Sequence, residues 1–237
     1  MGAVEITNLR KVYRVGDQKV VALDDVALSI DKGDITCILG TSGSGKTTLL
    51  NLMAGLEKPT RGSINIHNVE ITKLNEQSLA YFRQRYVGFI FQSYNLLTAL
   101  TALENVTLPL AFRGVKKSAR DKAAREMLEL VGLKKYIFHK PTQLSGGQQQ
   151  RVAIARAFVI RPKIIFADEP TGNLDSRTTA EVMDIILQMS DSPEHNLIIV
   201  THDKDIASYA DKIVYLKDGN IEKIDIIGKG GIVYENS

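Results

Sequence analysis

The sequence predicts an α/β fold in which a core with a glycine-rich loop carries a β-rich flank and an inserted helical segment. One observation is the glycine-rich stretch 40–48, which lies between a short apolar run and a helix-like run. A second is that strand-like runs occur in residues 1–92 and again in 160–237, whereas residues 93–159 have a helical character. A chain of 237 residues has room for one large α/β domain, so we expect a single domain over 1–237.

The composition is that of an ordinary globular protein, and it excludes several functional classes. Hydrophobic residues make up 44% of the chain, and the net charge of +3 is too small to indicate nucleic acid or anionic lipid as a partner. The single cysteine, Cys37, excludes an internal disulfide. The N-terminus lacks a signal-peptide core, and no run of about 18 apolar residues occurs. If the protein acts at a membrane, we therefore expect another chain to span it.

Hydrophobic patterns along the chain predict the individual elements. Strands are predicted at 4–6, 20–23, 26–30, 35–39, 63–66, 87–91, 163–167, 196–200, 213–216 and 220–224. Asp218-Gly219 predicts a tight hairpin turn before the last of these strands. Ser118 is typical of a helix N-cap, and the apolar positions 123, 127, 130 and 131 predict one buried face of a helix that ends at Gly132.

The glycine-rich stretch matches the nucleoside-triphosphate loop G-x-x-x-x-G-K-S/T at every fixed position. Glycines let the backbone form a nest of N–H groups, and the helix that follows turns its positive end towards the same anion. Lys46 would bridge the β- and γ-phosphates, and the Thr47 hydroxyl would ligate Mg²⁺. The predicted phosphate-binding residues are Gly40, Thr41, Ser42, Gly43, Ser44, Gly45, Lys46, Thr47 and Thr48. The motif predicts a site for ATP or GTP.

Two carboxylates, Asp168 and Glu169, end the apolar run 164–167. A buried strand would place both side chains at the carboxyl edge of the sheet, where ligands bind in open α/β folds. Asp168 would hold Mg²⁺ through its water shell, and Glu169 would polarise the attacking water. The pair indicates hydrolysis rather than nucleotide sensing alone.

The third motif, Leu144-Ser145-Gly146-Gly147-Gln148, opens a helix-like run that extends to residue 157. A serine and two glycines at a helix start would present backbone N–H groups and the positive helix end to a second anion. The phosphate loop already provides one such nest, so this second one would lack a phosphate within the same chain. For the pentapeptide alone, the alternative is a glycine-rich helix start without any ligand.

Together these motifs resemble the ATP-binding cassette (ABC) ATPases, whose signature is L-S-G-G-Q, over about residues 4–224. The resemblance implies a P-loop NTPase (RecA-like) core with an antiparallel β subdomain and a helical subdomain over 93–159. It also implies ATP and Mg²⁺ as cofactors. Tyr13 matches the aromatic residue on which adenine stacks, Gln92 the glutamine that touches Mg²⁺, and His202 the histidine that hydrogen-bonds the γ-phosphate.

The resemblance further implies an assembly and a set of roles. In ABC proteins the signature faces the γ-phosphate held by another cassette, which implies a homodimer on ATP binding. Ser145, Gly146, Gly147 and Gln148 would then meet the nucleotide of the other subunit, and Asp175 would contact that subunit. The implied catalytic residues are Lys46, Glu169 and His202, and the implied Mg²⁺ ligands are Thr47, Gln92 and Asp168.

The stretches 144–157 and 166–175 resemble one branch of the family, which contains the lipoprotein-releasing (LolD-type), macrolide-export (MacB-type), antimicrobial-peptide-resistance and cell-division (FtsE-type) ATPases. This implies a cytoplasmic ATPase, peripheral on the inner face of the cell membrane, that powers a separate permease. The leucine-rich segment 94–100 follows Gln92, and we expect it to line a groove for a cytoplasmic helix of the permease. The alternative is that Leu96 and Leu97 only fill the helical core.

Other function classes compete with the transporter subunit. An FtsE-like cell-division ATPase is one alternative, and a soluble ABC mechanoenzyme of DNA repair or translation is another. The latter usually has a long coiled coil or a second cassette, and this sequence has neither heptads nor a second phosphate loop. A small phosphate-loop kinase would have no use for the signature or for Glu169. No nucleic-acid partner is expected, and the tail 226–237 matches no part of the family pattern.

Overall fold

The computed structural model describes residues 2–227 and 233–234. Its strands are β1 (Val4–Val15), β2 (Gln18–Ile30), β3 (Ile35–Leu39), β4 (Arg61–Ile66), β5 (Val69–Glu70), β6 (Val87–Phe91), β7 (Ile164–Asp168), β8 (Asn196–Thr201), β9 (Lys212–Lys217), β10 (Asn220–Ile226) and β11 (Val233–Tyr234). Its α-helices are α1 (Lys46–Met53), α2 (Glu76–Tyr86), α3 (Ala102–Phe112), α4 (Lys117–Leu130), α5 (Gly146–Phe158), α6 (Ser176–Ser190) and α7 (Lys204–Ala207). Short 3₁₀ turns occupy 71–73, 134–136 and 141–143.

The chain folds as two compact units, residues 1–83 with 193–237 and residues 84–192. The first unit holds β1–β5, α1, most of α2 and the elements from β8 onwards. The second unit holds β6, β7 and α3–α6. The division proposed from the sequence, with a core over 1–92 and 160–237 and a helical segment over 93–159, stays a prediction.

An antiparallel sheet of order β2-β1-β4-β5 forms part of the first unit. β1 and β2 pair from Val15↔Gln18 at the hairpin to Val4↔Ile30 at the far end. β2 is a single strand where two were predicted, at 20–23 and 26–30. The interruption at Asp25 is a local left-handed residue with φ of 57°, and pairing with β1 continues on both sides of it.

The other strands of the first unit have the order β11-β10-β9-β3-β8. β3 lies between two parallel neighbours, with Ile38 opposite Val200 of β8 and Val214 of β9. Ile38 is fully buried, as expected for a parallel strand covered on both faces. β9 and β10 form an antiparallel hairpin, and φ angles of 47° at Asp218 and 79° at Gly219 confirm the predicted tight turn.

β6 and β7 pair in parallel within the second unit, from Val87↔Ile164 to Phe91↔Asp168. Helices α3, α4 and α5 pack on one another, and α5 also packs against β6 and α6. α5 is the central helix of this unit, because it is buried without interruption from Val152 to Ala155. This unit therefore places the start of α5, which is the signature motif, on a firmly packed helix.

The predicted N-cap of α4 was wrong by two positions, and three of the four residues of its predicted buried face were wrong by one, whereas Val131 is buried as predicted. The helix begins at Lys117 after Lys116 and no side chain caps it, so Ser118 is not its N-cap. The buried positions are 124, 128 and 131, whereas Leu130 is 72% exposed. Two adjacent apolar stripes were available, and packing against α3 and α5 decides which of them is buried. Gly132, with φ of 76°, ends the helix as predicted.

Within the described residues, no helix has both the length and the apolar character needed to cross a membrane. In the C-terminal tail 226–237, β10 ends at Ile226 and β11 covers 233–234. The remaining tail residues 228–232 and 235–237 lie outside the described part of the chain.

Candidate nucleotide-binding site

The glycine-rich loop connects β3 to α1 in the first unit. β3 ends at Leu39, and α1 begins at Lys46 after its N-cap, Gly45. No side chain caps this helix, and its first turn holds no acidic residue. The first N–H groups of a helix have no intrahelical partner, so the start of α1 presents donors and a positive dipole end to an anion.

Two glycines of this loop are required by the local geometry. Gly45 has φ of 100°, and a Cβ atom there would lie 2.6 Å from the carbonyl oxygen of Ala22 on β2. At Gly40, a Cβ atom would lie 2.3 Å from the carbonyl oxygen of Leu216 on β9. The N–H of Gly219, in the β9–β10 hairpin, donates to the carbonyl of Ser44 at 3.0 Å. Neighbouring strands thus hold the loop in its shape.

Lys46 is folded back over the loop that it follows. Its Nζ donates to the carbonyl oxygens of Gly40 and Thr41, each at 2.8 Å, and the residue is only 8% exposed. The ammonium charge is therefore held against the loop at which the phosphates are expected. Thr47, the predicted Mg²⁺ ligand, is exposed, and Thr48 is half-buried.

Tyr13 lies on β1 and is linked to Thr48 of α1 by a side-chain hydrogen bond. Its hydroxyl donates to Glu57 Oε2 at 2.7 Å, and burial followed by this hydrogen bond raises the pKa of the phenol. Glu57 also accepts from Asn51 Nδ2 at 3.1 Å, and the Lys11 ammonium lies 4.8 Å from the centre of the Tyr13 ring. The ring is thus oriented beside the phosphate loop, as a stacking platform for a base requires.

His202 follows β8 at the edge of the sheet that carries the phosphate loop. β3 and β8 are parallel with Leu39 opposite Thr201, so residues 40 and 202 leave the sheet side by side. The Gly40 N–H donates to the Thr201 carbonyl at 3.4 Å. The first unit therefore brings together the predicted phosphate loop, adenine platform and exposed histidine.

Gln92, Asp168 and Glu169 lie together at a strand edge in the second unit. Phe91 pairs with Asp168, so Gln92 and Glu169 are the next residues along two parallel strands. Asp168 and Glu169 are both half-buried. Glu169 has φ of 44°, a left-handed conformation that is rare for a residue with a side chain and is concentrated at functional sites. Its carbonyl accepts the N–H of Gly172 at 3.1 Å.

Asn173 joins Gln92 to the loop that follows Glu169. Its Nδ2 donates to the Gln92 carbonyl at 3.0 Å, and its Oδ1 accepts from Gln92 Nε2 at 3.4 Å. A Cβ atom at Gly172 would lie 2.7 Å from the same Nε2. These reciprocal contacts connect the predicted Mg²⁺ glutamine directly to the loop that carries the carboxylates.

The signature residues form the start of α5, with Ser145 as N-cap. Ser145 Oγ accepts the Gln148 N–H at 3.3 Å, and Gln148 Oε1 accepts the Ser145 N–H at 2.9 Å, which is a capping box. The side chains of Ser145 and Gln148, which are expected to meet a nucleotide, thus cap the helix. The N–H groups of Gly146 and Gly147 lie in its first turn and therefore have no intrahelical partner. A Cβ atom at Gly147 would lie 2.5 Å from Thr178 Cγ2, so close packing on α6 also requires this glycine.

Asp175 is the N-cap of α6. Its carboxylate accepts the Thr178 N–H at 3.0 Å and the Thr178 hydroxyl at 2.7 Å, and these two bonds lower the pKa of the carboxyl group. The side chain is exposed. The structure shows its capping role, whereas its contact with a second subunit stays a prediction.

All three predicted Mg²⁺ ligands would bind the ion through oxygen. Among the described residues, no group of three or more His, Cys, Asp or Glu side chains is placed to hold a metal ion. Thr47, Gln92 and Asp168 would contribute a hydroxyl, an amide oxygen and one carboxylate. Mg²⁺ prefers oxygen and commonly completes its shell with substrate phosphates and water, so this donor set fits Mg²⁺ bound together with a nucleotide.

Comparison with known proteins assigns the family. The family profile described as ABC transporter matches residues 23–172. The chain belongs to the ABC transporter family. It is an ABC ATPase, and the resemblance on which the sequence analysis relied is confirmed.

Relatives and a solved structure extend the match over almost the whole ABC ATPase chain. The ABC transporter ATP-binding protein YtrE of Bacillus subtilis is 44% identical over 236 residues, 98% of this chain and 99% of the relative. The lipoprotein-releasing system ATP-binding protein LolD of Alcanivorax borkumensis is 44% identical over 221 residues, 93% and 97% of the two chains. The dimeric, post-hydrolysis structure of the cassette MJ0796 of Methanocaldococcus jannaschii, bound to ADP and Pi, has a TM-score of 0.87 at 42% identity and covers 94% and 98%. The predicted fold is confirmed.

Several residues that support the ABC ATPase site were missed in the sequence. Glu57 lies 44 positions from Tyr13, and Asn173 lies 81 positions from Gln92. Glu57 belongs to no motif. Asn173 lies in the family-like stretch 166–175, but that resemblance does not predict Gln92 as its partner. Arg156 was quoted only as part of the family pattern, although a guanidinium within the apolar run 152–158 was a usable signal for a buried polar contact.

Proposed function

We propose that this ABC ATPase is the nucleotide-binding subunit that powers a membrane transporter through ATP-driven dimerisation and hydrolysis. The start of α1 carries the proposal. It combines an uncapped helix end, a buried Lys46 folded over the loop, and glycines whose replacement would collide with neighbouring strands. Such a preformed cradle favours phosphate binding without backbone rearrangement.

ATP is held by residues of several elements in this proposal. The Lys46 ammonium exchanges its two carbonyl partners for β- and γ-phosphate oxygens, and backbone N–H groups within 41–48 surround the remaining oxygens. Tyr13 stacks on the adenine ring. Thr47, Gln92 and Asp168 hold Mg²⁺, which supplies neutralisation of the phosphate charge when it is bound.

Hydrolysis depends on two further side chains. Glu169 orients the attacking water and accepts its proton, a role supported by its half-buried position and its left-handed backbone. His202 hydrogen-bonds the γ-phosphate, and its position beside Gly40 supports this assignment.

Two copies of the chain form the working ATPase. Ser145–Gln148 are assigned to the nucleotide of the opposite subunit, and Asp175 is assigned to a contact with that subunit. Each chain has one phosphate loop and one signature, so a two-fold dimer makes two complete sites. The similar cassette MJ0796 has been solved as a dimer, which supports this assembly.

The transporter is proposed to be of the export or lipoprotein-releasing type, with a separate permease in the membrane and this subunit at its inner face. The similarity to LolD supports the branch. Leu97 is 53% exposed and Leu96 is half-buried, so part of the segment 94–100 lies at the surface and is accessible to a permease helix.

The Glu169→Gln variant tests this function. We expect ATP binding to be retained and Mg²⁺-dependent phosphate release to fall by about 10²–10⁴-fold, because the general base is lost while size and hydrogen bonding are kept. Light scattering should show the variant as a dimer with Mg-ATP and as a monomer without it. Glu126→Gln, an exposed glutamate on α4, is the matched control and should behave as wild type.

The results separate the parts of the proposal. Near-wild-type turnover of Glu169→Gln would reject Glu169 as the base, and a monomer at saturating Mg-ATP would reject the dimer. Co-purification of a membrane permease supports the transporter role, whereas co-purified ribosomes or nucleic acid would replace it with that of a soluble mechanoenzyme.

A further inference from the structure

The chain makes a tight left-handed turn immediately after Gln92. Tyr94 and Asn95 have φ angles of 58° and 49°. The Tyr94 N–H donates to the Phe91 carbonyl at 3.2 Å, and the Asn95 N–H donates to the Ser93 carbonyl at 2.6 Å. Consecutive left-handed residues with side chains are unfavourable and persist only where their surroundings hold them.

Arg156 of α5 holds this turn. Its guanidinium donates from Nη2 to the Tyr94 carbonyl at 2.8 Å and from Nη1 to the Asn95 carbonyl. The planar guanidinium presents two donors in one fixed geometry, which a lysine ammonium cannot reproduce. Both acceptors are carbonyls of the left-handed residues, so Arg156 binds the part of the turn that most needs support.

Tyr94 also reaches the opposite end of the same helix. A Cβ atom at Gly146 would lie 2.9 Å from Tyr94 Oη, which places the phenol against the first residue of α5. Gly146 and Arg156 are ten positions apart, about 15 Å along an α-helix. Tyr94 therefore contacts α5 twice, through its carbonyl at Arg156 and through its hydroxyl at the signature.

We infer that Tyr94 and Arg156 are positioning residues that couple the Gln92 segment to the signature motif of the same subunit. The inference rests on the proposed function, in which Gln92 and Ser145–Gln148 both respond to nucleotide. A displacement of Gln92 displaces the turn at Tyr94. Because Arg156 makes two hydrogen bonds to this turn, α5 moves together with the turn as one rigid helix. The second contact, at Gly146, keeps the signature backbone in a defined position relative to the turn.

The test compares Arg156→Gln with Arg151→Gln, both in the Glu169→Gln background. Arg151 lies on the same helix and pairs with Glu181 at 3.4 Å, so the control removes a guanidinium without touching the turn. Arg156→Gln should bind a fluorescent ATP analogue as tightly as the parent, because Lys46 and Tyr13 are unchanged. Its Mg-ATP-driven dimerisation should weaken by about tenfold or more, within the usual range of coupling between sites.

Steady-state kinetics with Glu169 intact add a second readout. Arg156→Gln should lower kcat while KM for ATP changes little. Arg156→Lys keeps the charge but not the two donors in fixed geometry, so it should recover only part of the lost kcat. A loss of folding alone would also lower the apparent kcat at unchanged KM, so kcat is calculated per active enzyme, with the active fraction measured as the stoichiometry of ATP-analogue binding. If Arg156→Gln does not fold, Arg156→Lys and Tyr94→Phe serve as the test variants with the same expected direction.

Failure of the inference and failure of the proposed function give different results. Dimerisation of Arg156→Gln equal to that of Arg151→Gln overturns the coupling and leaves the function intact. If the Glu169→Gln parent itself never dimerises, the proposed ATP-driven dimerisation fails. Amide hydrogen exchange then tests whether the Gln92 segment and the signature are coupled. Arg156→Gln must then increase exchange at 93–96 and at 145–148 together. An increase confined to 93–96 overturns the inference.

Discussion

Replacement of Asn105 by alanine should destabilise the second unit more than any single hydrogen bond would suggest. Asn105 is fully buried on α3. Its Nδ2 donates to the carbonyl oxygens of Leu97, Leu100 and Thr101 at 3.1, 3.2 and 3.0 Å, and its Oδ1 accepts the Leu97 N–H at 2.8 Å. One side chain thus binds the whole segment 97–101, which contains the exposed Leu97.

The magnitude follows from these contacts. Each hydrogen bond contributes about 0.5–1.5 kcal/mol net. The Thr101 carbonyl keeps the backbone N–H of Asn105 at 2.9 Å as a partner, and the Leu97 carbonyl keeps that of Leu100 at 3.1 Å. Alanine therefore leaves two of the four backbone groups, the Leu97 N–H and the Leu100 carbonyl, to be satisfied otherwise, and a buried group without a partner costs about 1–3 kcal/mol. We expect a decrease in the free energy of unfolding of about 2–4 kcal/mol, and a decrease in Tm of roughly 5–15 °C for a chain of this size.

Urea unfolding followed by circular dichroism measures this change. Thr107→Val on the same helix is the matched control, because it removes one bond, from the hydroxyl to the Glu104 carbonyl at 2.9 Å, and keeps the volume. The control should cost about 1 kcal/mol or less. The reasoning is refuted if Asn105→Ala is no more destabilising than Thr107→Val, because the segment would then be held by its leucines and not by the amide.

Three further predictions concern nucleotide binding, the permease surface and pH. Lys46→Ala should weaken ATP binding itself by at least tenfold in a fluorescence titration, because a charge that faces two phosphates is lost; unchanged affinity would contradict the role of Lys46. Leu97→Asp should change the free energy of unfolding by less than about 0.5 kcal/mol and leave the ATPase activity of the isolated subunit intact. It should nevertheless abolish permease binding in a pull-down. Unfolding of the variant would favour the alternative in which Leu97 only fills the helical core. Burial and the Glu57 hydrogen bond raise the pKa of Tyr13, so its contribution to stability is present below the unfolded value of about 10 and is lost as pH rises through the folded value. Urea unfolding at pH 9 and 11 should therefore show a smaller loss for Tyr13→Phe than for wild type, and equal losses would exclude this contribution.

Much of the fold was predictable because it is encoded locally. The β9–β10 hairpin was predicted from Asp218-Gly219, because a two-residue hairpin turn needs two left-handed residues in succession and Asp-Gly adopts that conformation readily. β3, β7 and β8 were predicted from short continuous apolar runs, the pattern of parallel strands covered on both faces. The buried face of α4 was not predictable, because adjacent apolar stripes compete and only packing against other helices selects one.

The sequence by itself determined the family, the phosphate loop and the chemistry expected there, because each motif is a contiguous stretch whose residue types have a direct physical meaning. The structure alone decided how those residues are held. Ser145 and Gln148 bind each other in a capping box, Tyr13 is oriented by Glu57, and Arg156 binds the turn at Tyr94 from 62 positions away. Such contacts join elements that are distant in the sequence. Tertiary packing determines which of their surfaces come into contact, and local sequence patterns do not encode this.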